Sequence, residues 1–87
     1  MEAPPDKRPI LFAKGTILSV DCSQDPVAIV TMATSNRTLK LHVADKAKVI
    51  VIGEDKFSCR WQATHATANY KAAAKAGEGD LVSIEVQ

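Results

Sequence analysis

Aromatic side chains are scarce in this chain: two phenylalanines, one tyrosine and one tryptophan among 87 residues. A surface that stacks bases on successive rings needs more of them, set in a basic groove. The basic excess is missing too. Eleven lysines and arginines face ten aspartates and glutamates, a net charge of +1, which argues against nucleic acid or an anionic membrane as the main partner. No apolar run approaches the ~18 residues of a membrane-spanning helix. No basic n-region leads into an apolar h-region, so no signal peptide is expected within these residues. That does not make the protein cytosolic, because a mature or trimmed chain has lost its leader. Enzyme signatures are equally thin. There is no Gly-x-Ser-x-Gly elbow and no phosphate-cradling loop, and Gly15, Gly53, Gly77 and Gly79 fall at strand edges and turns. The carboxylates Asp21, Asp25, Asp45, Glu54, Asp55, Glu78 and Asp80 fall mostly in turn segments, where such groups solvate and cap the chain. The expectation is therefore a protein that is not an enzyme and has no cofactor.

What is present is the apolar content of a globular domain, 46% of residues. A chain this short makes one domain and buries only a modest share of its surface, so a covalent staple would matter. Residues 1–13 read as a Pro-rich linker or N-terminal tail, with prolines at 4, 5 and 9, and residues 14–87 as a small β-barrel domain. The apolar trio Ile10-Leu11-Phe12 straps the barrel or begins its first strand. From Lys14 to Cys22 the pattern alternates, predicting Thr16, Leu18, Val20 and Cys22 inward and Ile17, Ser19 and Asp21 outward. Ser23 to Pro26 is turn chemistry. Val27–Ala33 is a β-branched strand, and Ser35-Asn36 a hairpin turn. Leu39, Leu41 and Val43 then alternate with Lys40 and His42.

Asp45–Lys48 suits one helical turn with Asp45 as its cap. Val49–Ile52 reads as a short buried strand, and Lys56–Trp61 as another with Phe57, Cys59 and Trp61 on one face. Ala66, Ala68 and Tyr70 are in phase in the next. Residues 71–79 read as a flexible connection. Asp80–Gln87 places Val82, Ile84 and Val86 inward, with Ser83 and Glu85 outward. Short strands at regular spacing without a long helical period indicate an all-β fold of five to six strands. A helical turn after the third strand resembles the oligonucleotide/oligosaccharide-binding (OB) barrel.

The two cysteines, Cys22 and Cys59, allow three readings. They can be buried free thiols, common in cores. They can form a disulfide, which would close a long loop worth about 4 kcal/mol by chain entropy. Or they can join His42 and His65 in a zinc site, although no Cys-x-x-Cys or His-x-x-x-His pair clips a metal locally. The disulfide is the expectation. A weak ligand surface is conceivable at Arg37, Lys40, His42, Arg60 and Trp61. Packing of Phe57 and Trp61 in the core, and a solvated mixed-charge surface for the cations, are the plainer readings.

The pattern Gly15-Thr16-x-x-x-Val20-Asp21-Cys22, then Thr38-Leu39-x-Leu41-x-Val43-x-Asp45, then Phe57-x-Cys59, then Gly79-Asp80-Leu81-Val82-Ser83-Ile84-Glu85 resembles a small OB-like β-barrel module. That module occurs at the C-terminus of uncharacterised bacterial proteins, after tetratricopeptide repeats or secreted regions. The resemblance implies a non-catalytic accessory domain, periplasmic or secreted, with a cytoplasmic home as the alternative. It supplies no ligand-binding residues. The expected function is a structural or protein-interaction module, monomeric in isolation, whose partner is the rest of a parent polypeptide or another envelope protein. The final strand is the candidate edge for adding a partner strand. The alternative is a weak binder of single-stranded nucleic acid or oligosaccharide.

Overall fold

The computed structural model describes residues 8–87. Most of the linker reading concerns residues 1–7, which lie outside them. Six strands follow in order: β1 (Leu11–Gln24), β2 (Val27–Ala33), β3 (Thr38–Val43), β4 (Ile50–Ile52), β5 (Thr64–Ala72) and β6 (Glu78–Val86). They form one sheet in the order β3-β2-β1-β5-β6-β4, and a parallel β3–β6 pairing closes five of them into a barrel. The fold is therefore the all-β, OB-like barrel expected, with β4 as an additional strand. Among the described residues there is no helix.

The barrel closes because β1 is long enough to serve both walls. Its first half, Leu11 to Ile17, pairs with β5, and from Thr16 onward it pairs with β2. At the hand-off the ladder slips: Ile17 opposes Met32 and Ser19 opposes Thr31, leaving Leu18 as an extra residue. Such a bulge bends a strand and reverses its inward phase. Ile17 is thus fully buried and Leu18 is 44% exposed, the reverse of what strict alternation predicts. Val20 and Cys22, beyond the bulge, do pack on the core as expected. A slip in β6 also leaves Val82 unpaired between Ser83, opposite Asn69, and Leu81, opposite Tyr70. Leu81 and Ile84 face the core, while Val82, expected inward, is the bulged residue.

The interior is filled by Ile17, Met32, Leu39, Leu41, Val30, Val43 and Ile84, all essentially fully buried. On β5 two of the three buried positions are small, Ala66 and Ala68, and the third is Tyr70. The two alanines face Gly15 and Ala13 of β1 across the ladder. Gly15 has to be glycine, because a Cβ there would run into the Ala33 carbonyl where the barrel wall folds over.

The remaining differences from the sequence lie in the connections. Residues 53–63 contain no strand, so the expected strand Lys56–Trp61 is a loop. The connection at 71–79 is shorter than expected, with β5 running to Ala72 and β6 starting at Glu78. Asp45–Lys48 is a turn and not a helix, yet Asp45 does cap it: its side chain accepts a hydrogen bond from the Ala47 amide at 2.9 Å. The Ser35-Asn36 hairpin is present, closed by the Thr34 amide donating to the Arg37 carbonyl at 2.8 Å.

Candidate functional site

Three surfaces bear on function, and the pairing register defines each. The first is the outer face of β1-β5-β6-β4. One row across it runs Phe12, Asn69, Ser83, Ile50, and the next Lys14, Thr67, Glu85, Ile52. Its centre is polar and knitted by side-chain hydrogen bonds. Asn69 donates to Ser83 at 2.9 Å, and Gln87 donates to Thr67 at 3.4 Å. Large apolar side chains stand open to solvent at its flanks: Phe12, beside Lys14, is 75% exposed, Ile50 59% and Ile52 51%. Exposed apolar groups gathered on one face mark an interaction surface more often than scattered ones do.

The free sheet edge belongs to the same wall. β6 is paired along its length, to β5 on one side and to β3 and then β4 on the other. The expectation that the final strand offers an edge is therefore wrong; the terminal strand is locked inside the sheet. β4 is the edge, at the end of the strand order. It is also not buried as the apolar run Val49–Ile52 suggests. Val49 and Val51 turn onto the core, while Ile50 and Ile52 stand outside. The signal was present: a run of only four β-branched residues, Val49 to Ile52, set between Lys48 and Gly53-Glu54, has the shortness and flanking charges of an edge strand.

The second surface is the opposite wall, the outer face of β2 and β3 that OB barrels use for oligonucleotides and oligosaccharides. Its rows are Asp21, Ile29, His42, Asp80 and Ser19, Thr31, Lys40, Glu78. Asp21, Asp80 and Glu78 stand among Lys40 and His42 on these rows, and neighbouring side chains engage Glu78 and Asp80. His42 lies 2.7 Å from Glu78, Lys75 lies 3.3 Å from the same carboxylate, and Arg8 lies 2.9 Å from Asp80. The hydrogen bond to His42, then that to Lys75, hold Glu78 below the ordinary glutamate pKa. Asp21 is likewise lowered, because its carboxylate accepts a hydrogen bond from the Ser23 amide at 2.9 Å. This wall is not a basic groove.

The third surface is the barrel end tied by a disulfide between Cys22 and Cys59, whose Cα atoms are 6.0 Å apart. Phe57 and Trp61 pack edge to face beside it. Lys46 bridges this end: its amide donates to the Pro26 carbonyl at 2.9 Å, and its ammonium lies 2.6 Å from Asp25 and 3.8 Å from the Cys59 sulfur. A cleft of about 380 Å³ lies between Pro26, Lys46, Phe57 and Cys59. The bridge fits an oxidising compartment.

The residues weighed for a ligand surface do not assemble. Lys40 and His42 project from β3, and Arg37 stands at its entry turn, where it donates to the Tyr70 hydroxyl at 3.2 Å. Arg60 belongs to the disulfide end, and Trp61 is a core residue, 8% exposed. The four zinc candidates are separated as well. The cysteines are bonded to each other, His42 is on Glu78, and His65 is 3.4 Å from the Thr16 hydroxyl. Among the described residues no three metal-binding side chains converge, and no helix is long and apolar enough to cross a membrane.

No family model matches the chain, and neither a curated protein nor a solved structure shows significant similarity to it.

Proposed function

We infer that this chain is a non-catalytic protein-interaction module that docks a neighbouring unit of its own polypeptide onto the outer face of β1-β5-β6-β4. The observation that carries this reading is the position of Phe12. It is the most exposed large apolar side chain among the described residues, it lies on a wall whose far flank is Ile50 and Ile52, and it sits one residue after the chain enters the barrel at Leu11. A unit joined through a proline-rich linker is tethered next to that wall, at the high effective concentration a short linker gives. The disulfide supports an exported parent, periplasmic or secreted. A bacterial parent, with the module appended after repeats or a secreted region, follows from the motif resemblance alone.

The test is a photo-crosslinking residue at position 12 of the full-length gene product in its native host, with position 23 as control. The reading expects adducts from position 12 to peptides of the same polypeptide and none from position 23. Equal adducts from both sites, or adducts to other proteins alone, would overturn it.

The barrel topology supports a second reading, a weak binder of single-stranded nucleic acid or oligosaccharide through β2 and β3. Oligonucleotide affinity that falls steeply with salt would favour it, and no binding at low salt would remove the nucleic-acid form.

A further inference from the structure

We propose that the outer edge of β4 pairs with the β4 edge of a second copy of this chain. The pairing is antiparallel and symmetric about Val51, and it makes a two-fold dimer with one sheet running through both barrels. It extends the interaction reading to a partner of known sequence, and of that outer face it uses only the β4 flank, Ile50 and Ile52, three strands away from Phe12.

The backbone of β4 is available. It is the last strand in the sheet order, and no backbone hydrogen bond reaches it from outside the sheet among the described residues. Unpaired edge groups of this kind are a template for strand addition.

The sequence around the edge is self-complementary when reversed. With Val51 opposite Val51, Ile50 of one copy lies opposite Ile52 of the other, and the reverse holds at the symmetry-related position. Ile50 and Ile52 project to the same outer side and are 59% and 51% exposed. Directly opposed side chains in an antiparallel pair have Cβ atoms about 5 Å apart, so four isoleucines that now face water would bury one another. A two-fold axis requires this kind of self-complementarity, since both partners present the same patch.

The flanking charges select this register. Lys48 and Glu54 flank the strand at equal sequence distances from Val51, so the antiparallel arrangement brings the Lys48 end of each copy beside the Glu54 end of the other. A parallel arrangement would set like against like. Both residues are exposed, and neither makes an ion pair with another described residue. Gly53, with φ of 91°, ends the strand and limits the pairing to its three residues plus these flanks. The contact is therefore small, below the size of a standard stable interface. It makes a concentration-dependent dimer, and the monomer is the form at low concentration.

The charge pattern supplies the test. Sedimentation equilibrium at low salt should show the wild-type mass rising from monomer toward dimer between about 10 µM and 1 mM, with weaker association at high salt. Lys48→Glu leaves only acidic flanks and Glu54→Lys only basic ones, so each variant alone should stay monomeric over that range. Mixed in equal amounts, the two should associate, because each then meets its complement. Both positions are exposed, and an unchanged amide spectrum elsewhere in the barrel confirms that the variants fold. A wild type that remains monomeric at 1 mM would sink the proposal. So would single variants that associate as well as wild type, or a mixture that does not associate. Phe12→Ser is the separating control: it removes the docking face and should leave self-association unchanged.

Discussion

The Trp61 ring meets Phe57 edge to face, with centroids 5.0 Å apart and planes at 67°. The pair plugs the barrel end where Cys59 is tied to Cys22. No strand pairing holds this segment, so side-chain packing and one covalent bond fix it in place. Trp61 is 8% exposed and part of the core cluster. Truncating it to alanine removes the largest apolar surface in the loop and leaves a cavity, at a cost of about 3–5 kcal/mol. Phe57→Ala should cost less, because Phe57 is only half-buried. Urea unfolding followed by circular dichroism measures both, and equal small losses would show that the loop is not part of the cooperative core.

The disulfide joins residues 37 apart in sequence. Replacing both cysteines by serine frees that loop in the unfolded chain and should lower stability by about 2–5 kcal/mol, a large share of what a domain this size has. Thiol titration of the unreduced, denatured protein should find no free thiol. In the double-serine variant hydrogen exchange should rise first across residues 53–63, where the bridge is the anchor, and last in β2 and β3. Uniform loss of protection would mean that the bond supports the whole barrel and not this end.

Ile17 and Leu18 are neighbours with opposite roles. Ile17→Ala removes a fully buried side chain next to Met32 and should cost about 2–5 kcal/mol. Leu18→Ala touches the bulge on the outside and should change stability by less than about 1 kcal/mol. The reverse ranking in thermal unfolding would place the bulge elsewhere.

That pair also shows how much the sequence reveals. The barrel class and the inward sets Leu39-Leu41-Val43 and Ala66-Ala68-Tyr70 follow from clean alternation, because a strand with one wet face must alternate. The bulges at Leu18 and Val82 do not announce themselves, since an extra residue is demanded by the bend of the barrel and not by any local preference. The loop at 56–61 looked like a strand because Phe57, Cys59 and Trp61 recur with period two, whereas a disulfide and a ring pair bury the same residues without a ladder. The disulfide itself was readable from two lone cysteines in a small domain. From sequence alone the terminal strand β6 reads as the edge, because its parallel contacts to β3 and β4 leave no local signature.

The carboxylate of Glu78 closes the seam between β6 and β3, and its ionisation should contribute to stability with a definite sign. His42 first, and Lys75 second, favour the charged carboxylate in the folded protein, so its pKa lies below the ordinary glutamate value. A group whose folded pKa is depressed stabilises the fold above its unfolded pKa, roughly 4.3 for glutamate, and loses that contribution as pH falls through the lower folded value. Wild type should therefore be more stable than Glu78→Gln at pH 7, and the gap should shrink below about pH 4.3 and close once the folded carboxyl is protonated. The seam is solvent-exposed on the His42 side, so added salt should narrow the gap at pH 7. Urea unfolding of both proteins at pH 7, 5 and 3 measures it. A gap that is the same at all three pH values would show that Glu78 acts through its shape at the seam and not through its charge. Replacing His42 by asparagine removes the leading cause of the shift and should move the loss of the Glu78 contribution to higher pH.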